Sequence, residues 1–148
     1  MHLRVAPGQE RFVGSVLEAR EEAAEYPHAK PWYRAVYAGD EPVGFAMVGW
    51  NVQPQPLDII GPWLLWKIIV DRRYQGRGYG AEAVRQVAAL VRAEGATELL
   101  TSYVPEDGGP AGFYQRLGFV LTGELDSNGE VIVRLALPKT GSADRPPA

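Results

Sequence analysis

Val70-Asp-Arg-Arg-Tyr-Gln-Gly-Arg-Gly-Tyr-Gly-Ala81 carries most of what this chain says about its own architecture. The apolar run Trp63–Val70 enters it, and a helical pattern from Tyr79 to about Glu94 leaves it, so a buried strand passes into a helix across a glycine-rich turn. Gly76, Gly78 and Gly80 lack the side chains that would hold a ligand away from the backbone. Successive N–H groups can turn inward there, and the helix N-terminus adds a partial positive charge. Such a turn is an anion cradle of pyrophosphate size. Arg72, Arg73 and Arg77 can add charge-assisted contacts. A glycine-rich turn without a ligand is the plainer alternative; the strand before and the helix after favour the cradle.

Two nucleotide-binding patterns compete for the segment. Gly76, Gly78 and Ala81 formally satisfy Gly-x-Gly-x-x-Gly/Ala, but a dinucleotide fold wants the turn directly after its strand and an acid about 20 residues on, at the end of the next strand. Here several residues intervene between Val70 and Gly76, and Glu98 falls at the start of the next strand. A P-loop needs Gly-Lys-Ser/Thr, which is absent. Neither pattern holds.

Outward from the cradle, Tyr33–Tyr37 and Val43–Trp50 read as strands joined by the turn signal Gly39-Asp40. A proline-rich loop, 51–62, follows. Gly95 can end the helix in a left-handed conformation. Leu99–Val104 reads as a strand, and Ala111–Leu117 as a short helix with Pro110 at its start and Gly118 at its end. The strands Phe119–Leu125 and Glu130–Leu137 flank the turn Asp126-Ser-Asn-Gly129. Residues 9–25 space Phe12, Val13, Val16, Leu17 and Ala24 as an amphipathic helix. One strand–helix–strand crossover between hairpins implies an α/β (α+β) domain with a mixed sheet. The domain is expected over 1–137, with 138–148 a disordered tail rich in Pro, Ser, Gly and Ala.

Composition narrows the function classes. At 148 residues the chain fits one domain, and its 46% hydrophobic and 22% charged residues are ordinary for a globular protein. A net charge of -3 argues against a nucleic-acid binder with a broad basic face and suits a cationic small molecule. With no cysteine and only His2 and His28, which are far apart, neither a thiolate nor a histidine-pair metal site is expected. Trp63–Val70 is interrupted by Lys67 and too short to span a bilayer, and no signal-like segment opens the chain, so a cytoplasmic protein without membrane partners is expected.

Gln75-Gly-Arg-Gly-Tyr-Gly80 resembles the Arg/Gln-x-x-Gly-x-Gly/Ala signature of the GNAT superfamily of N-acetyltransferases. Gly112-Phe-Tyr-Gln-Arg-Leu-Gly-Phe119 resembles that family's "fYeklGF" segment. Together these two are specific. Gln9-Glu-Arg-Phe-Val13, Ala35-Val-Tyr37 and Val43-Gly-Phe45 add a looser likeness to bacterial spermidine/spermine acetyltransferases, so the resemblance covers roughly residues 3–137.

The resemblance implies a mostly antiparallel sheet splayed between Trp63–Val70 and Leu99–Val104, with acetyl-CoA as co-substrate in the gap and no metal. It implies that backbone groups of Ile68 and Val70 pair with the pantetheine arm, and that amides from Gln75, Gly76, Arg77, Gly78, Tyr79, Gly80 and Ala81 hold the pyrophosphate. An N–H near Ile69–Val70 would serve the thioester oxygen. Tyr114 matches the family tyrosine that protonates the departing sulfur; its ordinary pKa of about 10 lies above a thiol's at about 8.5, so it keeps its proton at neutral pH. Asp107 stands where the family often has a CoA-contacting asparagine, and a carboxylate cannot donate as an amide does. The plainer reading of Asp107 is an acid beside the following helix start.

Acceptor and proton route are less marked. An amine of pKa about 10 costs about 4 kcal/mol to deprotonate at pH 7. Many relatives place a glutamate on the fourth strand, where this chain carries Trp66 and Lys67. A water chain to Glu25, Asp58 or Glu106 is the working expectation, and replacing the acid in use should lower activity most at low pH. Glu18, Glu21, Glu22 and Glu25 can attract a polycation or simply form a solvated helix face. Trp32, Trp50, Trp63, Trp66 and Tyr33 can line an amine site by cation–π contact or pack a core. The likeness points to a small primary amine such as spermidine or spermine. An aminoglycoside, an amino acid, a protein N-terminus, and a non-catalytic CoA-binding module stay open as alternatives.

Relatives begin with a strand and the start of a helix before the Gln9–Val13 segment. This chain has eight residues there. The first strand is therefore expected to be missing or the start misassigned. A missing strand would leave a sheet edge for a partner to cover, as in a homodimer.

Overall fold

The computed structural model describes residues 3–6, 31–54 and 60–138. They form a seven-stranded sheet in the order β1-β2-β3-β4-β5-β7-β6. The strands are β1 (Leu3–Ala6), β2 (Pro31–Ala38), β3 (Glu41–Gly49), β4 (Leu64–Val70), β5 (Glu98–Tyr103), β6 (Val120–Leu125) and β7 (Val131–Ala136). The helices are α1 (Tyr79–Ala93) and α2 (Ala111–Leu117). The helix expected over 9–25 lies outside the described residues, as does the tail beyond Pro138. No helix among the described residues is long and apolar enough to cross a membrane.

One expectation is corrected. The first strand is present: Leu3, Arg4, Val5 and Ala6 pair antiparallel with Ala38, Tyr37, Val36 and Ala35. Four residues suffice because an edge strand needs a backbone ladder on one side only, and so short a run shows no readable alternation. The edge of β2 is thus covered, and the partner inferred from an open edge loses that basis.

The two hairpins follow their turn chemistry. Gly39 and Asp40 connect the paired residues Ala38 and Glu41, with Gly39 at φ 63°. In the β6–β7 turn the Asp126 carboxylate accepts from Asn128 N (2.8 Å) and Glu130 N (2.9 Å), a side chain standing in for backbone. Between β4 and β5 the connection is α1, which buries Ala83, Val84, Val87, Ala88 and Val91 on one face. Gly95 at φ 98° ends it: Ala96 N donates to Val91 O (3.0 Å) and Gly95 N to Arg92 O (2.9 Å), the paired bonds of a Schellman cap.

The core lies between the sheet and this helical layer, where Val48, Leu65, Val84, Val87, Val91 and Leu99 are almost wholly buried. Each such side chain contributes about 1.5–3 kcal/mol through removal from water. On the sheet's other face Phe45 and Met47 pack with Tyr33, Trp66 and Ile69.

Candidate active site

The site begins with a defect in β4. Met47 pairs with Lys67 but Val48 pairs with Leu65, so Trp66 is an extra residue bulged out of the ladder. A bulge bends its strand and increases the twist. On the β3 side β4 holds six register pairs; on the β5 side it holds one, Leu64 with Leu100. The two parallel strands therefore separate beyond Leu65, as the expected splay requires. Burial follows the gap: Val43–Gly49 of β3 are all buried, whereas Trp66–Val70 of β4 are only partly so.

Backbone direction follows from the same register. Asp71 N donates to Val43 O at 2.8 Å, which fixes the alternation of the antiparallel ladder. Ile69 then directs its N–H and C=O at β3, while Ile68 and Val70 direct theirs at the gap. Of the three β4 residues expected at the coenzyme, Ile68 and Val70 present backbone groups to the gap and Ile69 does not.

Side-chain bonds fix the shape of the loop beyond β4. Gln75 Nε2 donates to Val70 O at 3.1 Å, so this side chain closes the loop on its own strand. The Asp71 carboxylate caps the short turn Arg72–Tyr74, accepting from Arg73 N at 2.9 Å and from the Arg73 guanidinium at 3.2 Å. The bonds from Arg73 hold the Asp71 carboxyl below its ordinary range. Tyr74 donates to Glu41 at 2.8 Å, tying the turn to the start of β3, and that bond raises the phenol's pKa. Arg73 is thus committed to the loop. Arg72 and Arg77 are exposed, the latter 5.7 Å from the centre of the Tyr74 ring.

Gly76 and Gly78 take φ of 79° and 81°, where a side chain is strained, and a Cβ at either would meet only open space. Gly78 is the N-cap of α1 and has no side chain to cap it. The first backbone bond of the helix runs from Glu82 N to Gly78 O at 3.1 Å. The first-turn amides before it, Gly80 and Ala81 among them, are the donors for which a helix needs an outside acceptor. The missing side chain of Gly80 serves packing as well: its Cβ position lies 3.6 Å from Phe113 and Val70.

Leu117-Gly118-Phe119 ends the helix that carries Tyr114. Gly118, at φ 103°, ends α2, and Phe119 N donates to Tyr114 O at 3.1 Å, which drops Phe119 into the core. Tyr114, 9% exposed, stacks on Tyr103 (5.9 Å) and meets Phe113 and Phe119 edge-on. Its ring borders a cleft of about 400 Å³ together with Tyr103, Gln115, Phe119 and Val133. Burial pushes the pKa of its hydroxyl up, more than the influence of Thr101 brings it down. Thr101 donates to Leu65 O at 2.8 Å, at the fork of the sheet. Sequence reading missed Thr101; its one signal was a polar residue in phase with the core-facing side of an apolar strand.

The remaining expected residues divide. Asp107 and Glu106 are exposed in the loop before α2, whose N-cap is Pro110 with no side-chain cap bond, so Asp107 does not cap that helix. Glu25 and Asp58 lie outside the described residues, with Glu18, Glu21 and Glu22. The tryptophans form a packed ladder, Trp32 on Trp50 (4.8 Å) and Trp50 on Trp63 (5.0 Å), against the core. Packing accounts for these three. Trp66 and Tyr33 pack against Phe45 and Met47.

Residues 3–119 match the family model described as the acetyltransferase (GNAT) family. The chain is 31% identical over 134 residues to a spermine/spermidine N(1)-acetyltransferase of Bacillus subtilis, covering 90% of this chain and 87% of that protein. Among solved structures it resembles a Bacillus subtilis acetyltransferase in complex with CoA, at TM-score 0.68 and 17% identity over 93% of this chain and all (100%) of the other. It also resembles a GNAT family acetyltransferase from Elizabethkingia anophelis with acetyl-CoA bound, at TM-score 0.65 and 13% identity over 91% and 98% of the two chains.

Proposed function

This chain belongs to the acetyltransferase (GNAT) family, and from that premise we propose that it moves the acetyl group of acetyl-CoA onto a small primary amine of the polyamine class. One observation carries the donor half: β4 leaves β5 after a single pair and runs into a loop of open amides. A gap edged by strand backbone and ending at an anion cradle suits a long ligand with an amide-bearing arm and a pyrophosphate. The acceptor half rests on the activity named for the relative at 31% identity.

The residues fit the coenzyme. Gly76, Arg77, Gly78, Tyr79, Gly80 and Ala81 hold the pyrophosphate, and the gap-facing groups of Ile68 pair with the arm, the Val70 carbonyl being held by Gln75. Gln75 acts by closing the loop, and Ile69 by packing. Acetyl-CoA supplies an acetyl group activated as a thioester. An amide of β4 facing the gap, Val70 N–H, donates to the thioester oxygen as charge gathers there. Tyr114, kept protonated by burial, gives its proton to the departing sulfur. The nitrogen sheds its proton through water to an acid at the acceptor side; Glu25, Asp58 and Glu106 are the candidates, and Asp107 borders the coenzyme at the loop before α2. The reaction uses no metal and takes place in the cytoplasm.

Release of free thiol from acetyl-CoA, measured with spermidine, spermine, an aminoglycoside, amino acids and an N-terminal peptide, tests this reading. Turnover with the polyamines well above the rest supports it. Turnover with another class alone removes the polyamine, and coenzyme binding without turnover on any amine removes the enzyme.

A further inference from the structure

The splay takes away the strand that would have paired the last carbonyl of β4. Val70 C=O and Asp71 N–H belong to one planar peptide group and point opposite ways. The N–H donates to Val43 O at 2.8 Å, so β3 holds one side of the group. In a continuous sheet β5 would hold the other side, but its one pair with β4 is Leu64 with Leu100, at the far end of the strand. Gln75 takes that place: its side-chain Nε2 donates to Val70 O at 3.1 Å. The backbone N–H of the same residue donates to Arg72 O at 3.4 Å and closes the turn Arg72–Tyr74. The next residue, Gly76 at φ 79°, opens the cradle. Gln75 therefore stands at the joint between the strand edge and the cradle.

We infer that Gln75 is the positioning residue that couples the two halves of the coenzyme site, holding the pyrophosphate cradle at a fixed span from the gap-facing edge of β4. This rests on the reading of the site as one for acetyl-CoA. A ligand gripped at two places gains from its second grip only when the two sites keep the spacing that its own linkage sets. The neighbouring bonds do not supply that spacing. Asp71 and Arg73 lock the turn within itself. Tyr74 ties it through Glu41 to the start of β3, on the side of β4 away from the gap. Of these bonds, the one from Gln75 alone reaches a gap-facing atom of β4. Without it the Val70–Asp71 peptide keeps its β3 bond only, and the root of the cradle can pivot about the strand end. Gly76 and Gly78 do not resist such a pivot, because glycine is the least restricted residue.

The test compares Gln75→Met, which keeps an unbranched stem and loses the donor, with Gln75→Arg, which keeps donor N–H groups. Gln75 is exposed, so neither variant disturbs the core. Calorimetry gives Kd for coenzyme A and for its two parts, 3′-phospho-ADP for the cradle and pantetheine for the strand edge. Q75M is expected to raise Kd for coenzyme A about tenfold. Kd for each part should stay within about twofold, because each grip is intact and only their spacing is lost. A side chain that merely shaped the cradle would weaken 3′-phospho-ADP as much as coenzyme A. That result, or an unchanged Kd for coenzyme A, would overturn the inference. Q75R should restore the ratio of the coenzyme A and 3′-phospho-ADP constants; both ligands carry the same phosphates, so its added charge cancels. A ratio left at the Q75M value also overturns it. A second readout needs no ligand: hydrogen exchange at Asp71 N–H, followed by NMR, should quicken about tenfold in Q75M and slow again in Q75R. An unmoved exchange rate overturns the link even if affinity changes. Failure of the wild type to bind coenzyme A would instead defeat the functional reading and leave that exchange rate to decide whether Gln75 holds the strand end.

Discussion

The two edges of β4 belong to the same strand yet behave as different surfaces. Toward β3, six register pairs and a fully buried neighbour make a structural seam. Toward β5, one pair is followed by a gap edged by the backbone of Ile68 and Val70. The bulge at Trp66 separates these behaviours. A binding edge can exist inside a sheet only if the strand is anchored elsewhere, since an unpaired central strand would lose the bonds that hold it. The closed edge supplies stability, and the open edge is the one the proposed function gives to the coenzyme.

That contrast can be broken from either side. The largest effect is expected at the seam: Met47→Ala, at a side chain with no exposure, should destabilise the fold by about 2–5 kcal/mol in denaturant titrations. KM for acetyl-CoA should change little at temperatures where the variant stays folded. At the gap the order reverses. Tyr114→Phe should lower kcat roughly a hundredfold, about 2.7 kcal/mol, with a much smaller change in melting temperature. Full activity in that variant would mean the sulfur leaves without this proton.

At the end of the open edge, Gly78→Val puts a branched side chain at φ 81° and crowds the cradle. Its Kd for coenzyme A, by calorimetry, should rise about tenfold or more. An unchanged Kd would place the pyrophosphate elsewhere.

The smallest effect is expected at Asp71→Asn, which removes the charge that Arg73 engages on an exposed loop. Because this carboxyl titrates lower in the fold than in the unfolded chain, its contribution is present above the ordinary carboxylate pKa. It is lost as pH falls through the lowered value. The wild type and D71N should therefore converge in melting temperature under acid; a gap that widens in acid contradicts the assignment. In activity, Tyr114 has the opposite exposure to pH. Burial raises its pKa, so kcat should hold through neutral pH and fall only on an alkaline limb above about 10.

Much of the site was legible in the chain because its signals are local. Gly76 and Gly78 announce positive φ, and Leu117-Gly118-Phe119 announces a helix end that returns a phenylalanine to the core. Strand positions fell within a residue or two, since alternation and turn residues such as Asp126 and Gly129 mark them directly. The first strand failed this test: four residues carry too little pattern, and β2 alone specifies their place. The Gln75 side-chain amide also closes the loop on Val70, a bond between residues five apart that spacing does not reveal.

By itself, the sequence determined the order of elements, the glycine-rich turn from strand to helix and the tyrosine four residues before Gly118. These depend on φ preferences and periodicities that each short segment carries with it. Tertiary structure alone decided that Trp66 bulges, that β4 parts from β5 after one pair, and that the Thr101 hydroxyl reaches Leu65 O at that fork. Such features arise when strands distant in the chain must share one register. A bond between residues 36 apart exists only once the sheet has formed.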